Sequence, residues 1–232
     1  MPESFRMLPV GWVESPFKEK FGVPRQSGII EAAARLCFYP DYSHPRCFDG
    51  MHEFSHIWVS FVFHKSLQQG WKPQVRPPRL GGNERRGVFA TRSPFRPNHL
   101  GLSVCRLDSI EIQNNVVSLQ VSGLDLVDGT PVLDIKPYIA YADSLVDAVS
   151  GFAVDKPGPV ITVEFADKHG LDEIDDKLKR LIVDVISLDP RPAYKRDQAQ
   201  GNYGVLLAGY NVNWVMLSPT LACVTGIELT QS

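Results

Sequence analysis

The segment Ile57–His64, IWVSFVFH, is apolar on both alternations, the pattern of a strand buried on both faces. It is the first of a series. Gly87–Thr91 and Leu102–Leu107 read as two more short strands around a proline-rich turn. Val116–Val121 alternates cleanly after the turn pair Asn114-Asn115, and Pro131–Lys136 follows the tight turn Asp128-Gly129. Strands this short and this evenly spaced favour a closed or nearly closed sheet. The 18 glycines and 18 prolines of the 232-residue chain agree, since so many turn formers disfavour a helical bundle.

The pattern changes after about residue 150. Gly151–Pro159 reads as a linker. Leu171, Ile174, Leu178, Leu181, Ile182, Val185 and Leu188 then recur at steps of three and four, an amphipathic helix closed by Asp189-Pro190. Tyr203/Val205/Leu207, Val212/Trp214/Met216 and Val224–Leu229 alternate as about three strands. The expected fold is therefore mainly β: an N-terminal barrel over residues 1–155 and a small α+β C-terminal domain over 156–232. Truncation near Gly158 is expected to leave a folded barrel that keeps its ligand site.

No stretch reaches the roughly 20 apolar residues that cross a bilayer, and MPESFRMLPV lacks the pattern of a signal peptide, so a cytoplasmic protein without membrane attachment is expected. Cys37, Cys47, Cys105 and Cys223 show no CxxC spacing and read as free thiols. Cys37, His44, Cys47, His52 and His56 crowd twenty residues, but not at the loop-closing spacing of a zinc site, and no metal is expected.

Net charge is −2, yet Lys72, Arg76, Arg79, Arg85, Arg86, Arg92 and Arg96 fall within 25 residues against Glu84 alone, a local +6. Clustered arginine is what phosphate binding needs, although a solvated loop would look the same. Within this stretch Leu80–Leu102 places Arg92, Arg96 and Asn98 among prolines that fix their directions, an arrangement suited to carboxylate or phosphate. The second polar segment, Ser122–Tyr138 (SGLDLVDGTPVLDIKPY), gathers Asp125, Asp128, Asp134, Lys136 and Tyr138. On a strand, Asp134 and Lys136 would share one face with Val132, either as a working pair or as a plain surface ion pair. GxGxxG, HExxH, Walker and GxSxG motifs are absent, which disfavours a doubly wound nucleotide-binding fold.

VFATRSPFRPNHLGLS (88–103) and LDLVDGTPVLDIKPY (124–138) resemble the two central signatures of the TsaA-like family, the TrmO-type tRNA adenine N6-methyltransferases. SPFKEKFGVPRQ (15–26), EFSHIWVSFVFH (53–64), WKPQVRPPRLGGN (71–83) and DPRPAY (189–194) are similar too, so the resemblance spans nearly the whole chain. Departures are His99, where a proline is more usual, Lys65 at a variable position, and Cys37–Gly50, which has no family pattern.

The resemblance implies a homodimeric antiparallel barrel that binds S-adenosylmethionine and methylates N6 of threonylcarbamoyl-adenosine at position 37, in the anticodon loop of tRNA. The C-terminal domain would be a tRNA-binding addition. Carried over by position, the cofactor contacts are Gln26, Ser27, Gly28, His64, Lys65, Arg92, Leu102, Ser122, Gly123, Leu124 and Asp125. Arg92 would take the carboxylate, and Asp125 or the backbone beside it a cation or the adenine donors. The candidate base is Asp134 or Asp128, with Lys136 and Tyr138 orienting. Arg25, Arg79, Arg96, Asn98, Arg191 and Tyr194 would meet RNA. Two other readings stand beside this one: a non-catalytic RNA-binding barrel that senses S-adenosylmethionine, and a hydrolase using Asp128, Asp134 and His64.

Overall fold

The computed structural model describes residues 4–166, 174–192, 195–196 and 201–230. The first sheet is a closed barrel. Its strands are β1 (Gly11–Glu14), β2 (Ala33–Phe38), β3 (His56–Val62), β6 (Leu100–Gln113), β7 (Val116–Ser122) and β8 (Pro131–Pro137). They run in the order β1-β2-β7-β6-β3-β8, antiparallel at every pairing. The two-residue strands β4 (Gln74–Val75) and β5 (Arg86–Gly87) form a separate ribbon.

Most of the expected strands are present. β6 and β7 meet in a hairpin whose loop residues Asn114 and Asn115 both hold left-handed φ, 50° and 63°. β1 and β2 were not legible as strands. β1 closes the ring by pairing with both β2 and β8, and only glycine fits at position 11, where a Cβ would stand 2.0 Å from the Cys37 carbonyl oxygen.

Three expectations need correction. β3 is half-buried rather than buried twice. Ile57, Val59 and Phe61 fill the barrel, while His56, Trp58, Ser60 and Val62 face outward. Of Gly87–Thr91 only Gly87 pairs, in the two-residue strand β5, and Val88–Ala90 is a 3-10 turn whose Val88 carbonyl, like that of Thr91, accepts from Arg96 instead of from a neighbouring strand. On β8, Val132 does not share a face with Asp134. The register shifts between Ser60↔Asp134 and Phe61↔Val132, leaving Leu133 as a bulge. Val132 is buried in the barrel, whereas Asp134 and Lys136 are exposed outside it.

The C-terminal unit is a four-stranded sheet, β10 (Asn202–Leu207), β11 (Tyr210–Ser218), β12 (Leu221–Leu229) and β9 (Thr162–Phe165), with β9 added parallel to β12. The expected helix is there as Asp176–Ser187, capped by the Asp175 carboxylate, which accepts from the Leu178 amide at 2.8 Å. It buries Leu178, Ile182, Val185 and Ile186 against the sheet. Leu171 lies outside the described residues. Between the two sheets the chain passes a four-residue helix, Ala140–Asp143, and an exposed stretch. Among the described residues no helix is long and apolar enough to cross a membrane.

The two hydrophobic cores do not divide where the linker does. The C-terminal core contains Phe17, Ile30 and Ala32, with Phe21, Val23 and Ile29 packed on it. Backbone contacts accompany them: Phe17 bridges Leu207, and the Ala208 amide donates to the Pro16 carbonyl at 2.8 Å. The segment between β1 and β2 is thus part of both units.

Candidate functional site

That shared segment carries Gln26, Ser27 and Gly28 to the barrel wall. The Gly28 amide donates to the Gly123 carbonyl at 2.9 Å, and the Gly123 amide donates to the Ala32 carbonyl at 3.2 Å. The turn is thereby docked onto the segment after β7. Here a groove of about 600 Å³ opens, within the ordinary range for small-molecule sites. Its walls are Lys20 and Val23–Gln26, the end of β3 with the turn after it, the Arg92–Arg96 loop, the start of β6, and Asp125–Val127.

The groove mixes apolar side chains with a basic set, Lys20, Arg25, Lys65, Arg92 and Arg96, and Asp125 is the one acid among its lining residues. Arg92 donates to the Gln26 side-chain oxygen at 2.6 Å, which fixes the guanidinium over the turn. Asp125 accepts from the Ser103 hydroxyl at 2.6 Å. Burial pushes the Asp125 carboxyl above the usual range, against the opposing pull of Ser103, of its own amide, of Arg92 and of the Ser27 amide. An arriving cation or amine donor would offset that desolvation by pairing with the carboxylate. His64 begins the turn after β3, and burial, with Lys65 and Lys20 nearby, holds its imidazole below the ordinary value. Gly101 lets the Phe61 ring lie across the strand, since a Cβ there would stand 2.2 Å from the ring.

Of the expected cofactor residues, Gln26, Ser27, His64, Lys65, Arg92, Leu102 and Asp125 line this groove or the hollow that continues it. Gly28 and Gly123 hold the turn from behind. Ser122 is buried, donating to Asp108 at 3.2 Å and accepting from Arg106 at 3.1 Å, and the Leu124 side chain belongs to the barrel core. These two can offer a ligand only backbone.

The expected catalytic residues separate. Asp134 and Lys136 follow one another down the outer side of β8, with Ser60 opposite Asp134 and Trp58 opposite Lys136, and Tyr138 comes directly after the strand. Leu102 is on the far side of Ser60, so Asp134 is two strand spacings, about 10 Å, from the groove wall. Asp128 is elsewhere. One of its oxygens accepts from the Ser15 amide at 2.8 Å and the other pairs with Lys18 at 2.9 Å, so it braces the turn after β1. Without Asp128, the hydrolase reading loses one of its acids.

The RNA-facing set also divides. Arg25 and Arg96 line the groove. Arg96 also ties its loop together, donating to the carbonyls of Thr91 at 2.7 Å and Val88 at 3.2 Å. Arg79 donates to the Asp155 carbonyl. Asn98 is exposed beside His99, which is buried at φ 49° with Nδ1 2.9 Å from the Pro94 carbonyl. A proline could not adopt that φ. Arg191 is a correction: its side chain is 1% exposed and pairs with buried Asp189 at 2.7 Å. It cannot reach a phosphate. Tyr194 lies outside the described residues.

Sequence reasoning missed Trp58, His56, Ser103 and Asp143, all of which line the continuation of the groove. Alternation within β3 was the available signal for Trp58, and the apolar neighbours hid it.

The N-terminal domain of tRNA-methyltransferase O matches residues 12–144, and the TrmO C-terminal domain matches residues 160–230. The chain belongs to the tRNA-methyltransferase O family. It is 44% identical over 218 residues to the tRNA (adenine(37)-N6)-methyltransferase of Escherichia coli K12, covering 91% of this chain and 93% of that one. It is 41% identical over 227 residues to a putative S-adenosylmethionine-dependent methyltransferase, RcsF, of Pseudomonas aeruginosa, covering 94% and 96%. The crystal structure of TrmO from Pseudomonas aeruginosa superposes with a TM-score of 0.78 at 34% identity, over 97% of this chain and 98% of that one. Both the barrel and the added sheet are thus shared with the TrmO structure, and the relatives carry the names of a tRNA (adenine(37)-N6)-methyltransferase and a putative S-adenosylmethionine-dependent methyltransferase.

Proposed function

We propose that the protein transfers a methyl group from S-adenosylmethionine to N6 of adenine 37 in tRNA, with threonylcarbamoyl-adenosine as the substrate base. The observation that carries this reading is the groove in which a fixed guanidinium, Arg92, and a buried carboxylate, Asp125, flank apolar side chains. S-adenosylmethionine presents a carboxylate, an ammonium, a sulfonium and an adenine, and this donor set fits them. Arg92 would hold the carboxylate, Asp125 the ammonium or the adenine amine, and Val23, Pro24 and Phe63 the apolar surface. When bound, the cofactor supplies an electrophilic methyl carbon.

The chain's own work is positioning and proton removal. N6 of the substrate carries a proton, and its lone pair is drawn into the carbamoyl group. Asp134 is the base in this reading, because it is exposed on the outer face of β8 while Asp128 is engaged by Ser15 and Lys18. Lys136, next on the same face, and Tyr138, directly after the strand, orient the carbamoyl oxygen. Arg25 and Arg96 at the groove rim meet tRNA phosphate or the threonyl carboxylate. The exposed apolar side chains Tyr141, Leu145, Val146 and Val149 suit burial in a homodimer, which sedimentation would read as twice the mass of one chain. The setting for such an enzyme is the cytoplasm.

Calorimetry tests the cofactor site. Arg92→Ala is expected to weaken S-adenosylmethionine binding by about 1.5–3 kcal/mol, the worth of a charged hydrogen bond, or roughly 10- to 150-fold. Unchanged affinity would place the cofactor elsewhere. Absence of binding by the wild type at millimolar ligand would remove the enzyme reading, while binding without methyl transfer would favour a sensor.

A further inference from the structure

Beyond the cofactor groove, the outer face of the barrel carries a second hollow of about 420 Å³. It shares Trp58, Arg92, Leu102 and Ser103 with the first, so the two are continuous. Its floor is a row of rings. Trp58 and Tyr138 are tilted at 5.9 Å between centroids, and His56 meets the edge of Tyr138 at 6.3 Å. The Trp58 indole is locked. Its N–H donates to Asp143 Oδ2 at 2.9 Å, and the Ile139 amide donates to the same oxygen at 2.8 Å. These bonds also keep the Asp143 carboxyl below the usual range.

A locked indole has lost its donor but kept its face. It cannot read a base edge by hydrogen bonding, and the adjacent carboxylate disfavours phosphate at this spot. What it suits is a flat, uncharged ring. Both the cofactor and the substrate carry adenine. The cofactor's ring has the larger groove, with its apolar side chains and Asp125, and the remaining hollow is lined by Tyr138, which follows Asp134 and Lys136 just past the end of β8. We infer that Trp58, held by Asp143 and flanked by Tyr138, is the stacking platform for the target adenine once it has left the anticodon-loop stack. The inference rests on the methyl-transfer reading above and assigns the base its place within it. Enzymes acting on a base must take it out of its stack, and a preset aromatic face replaces part of what is lost.

The test uses full-length Trp58→Leu and Trp58→Phe. Leucine keeps apolar bulk without a plane, and phenylalanine keeps a plane. For Trp58→Leu, KM for threonylcarbamoyl-adenosine-containing tRNA is expected to rise roughly 5- to 150-fold, the range for losing one stacked base, with the cofactor Kd within twofold of wild type. Trp58→Phe should recover most of the loss. Without cofactor, an anticodon stem-loop should quench tryptophan fluorescence in the wild type and much less in Trp58→Phe. Equal loss of cofactor affinity in Trp58→Leu would mean that Trp58 stacks on the cofactor's adenine, overturning the inference. A normal KM in that variant would also overturn it, and would leave the methyl-transfer reading standing. Failure of the wild type to methylate tRNA would instead remove that reading itself.

Discussion

Replacing Arg191 by alanine will destabilise the protein by about 3–5 kcal/mol, the usual cost of removing one partner of a buried ion pair. The Asp189 side chain is 4% exposed, and with the Arg191 guanidinium gone its carboxylate keeps, among the described residues, the backbone amide of position 191 at 3.3 Å and Arg196, whose Nε is 3.4 Å away. Asp189 also holds a left-handed φ of 52°, a conformation that the pair helps to fix just beyond the helix Asp176–Ser187. The Arg191 guanidinium further sits 5.9 Å from the Tyr203 ring centroid, linking this turn to β10. For a chain of this length the loss corresponds to roughly 6–20 °C in Tm, at about 2–4 °C per kcal/mol. Thermal unfolding by circular dichroism reads it. A variant of normal stability that binds tRNA poorly would restore Arg191 to the surface role expected from the sequence.

Truncation after Gly158 is expected to cost most of the cofactor affinity, more than tenfold. This reverses the expectation drawn from the linker. Removing β9–β12 and the helix would strip the cover from Phe17 and Ile30, which are 0% and 3% exposed, and from the partly buried Phe21, Val23 and Ile29. Each fully buried large side chain contributes about 1.5–3 kcal/mol, so this segment would lose several kcal/mol of anchoring. The same segment carries Gln26 and Ser27 to the groove, and Val23 and Gln26 line it. The barrel strands themselves pair without the C-terminal unit, so a folded domain with a loosened site is the expected product. Calorimetry on the truncated protein decides between a brace and a pure RNA-binding addition: full retention of cofactor affinity would support the latter.

The contrast between these two regions and the rest shows what the sequence could convey. β6, β7, β8 and the helix Asp176–Ser187 were legible because their periodicity is local, with Asn114-Asn115 and Asp189-Pro190 marking their ends. β1 was not, because a four-residue strand owes its form to neighbours more than a hundred residues away on β8, and β2 was not, because its partner on one side is the short β1 and on the other the distant β7. The bulge at Leu133 is invisible for a related reason. It is set by the pairing of β8 with β3, and it alone decides that Val132 is core while Asp134 faces out. At the site, Arg92, Asp125 and the Gln26–Ser27 turn could be named from motif resemblance. Their closeness could not, since it depends on the Gly28–Gly123 contact between segments almost a hundred residues apart. Arg191 was misplaced because a buried arginine and a phosphate-binding arginine look alike in a run such as DPRPAYKR.

The central claim is methyl transfer to N6 of a modified adenine, and the most direct measurement follows the atom transferred. The purified full-length protein is incubated with S-adenosylmethionine bearing an isotopically labelled methyl group and with tRNA that carries threonylcarbamoyl-adenosine at position 37. The tRNA is then digested and its nucleosides are resolved by mass spectrometry. The account predicts one labelled methyl on the threonylcarbamoyl-adenosine nucleoside, none on tRNA lacking the threonylcarbamoyl group, and loss of labelling in Asp134→Asn with cofactor binding retained. Label on another nucleoside, or on none while the cofactor binds, would contradict it.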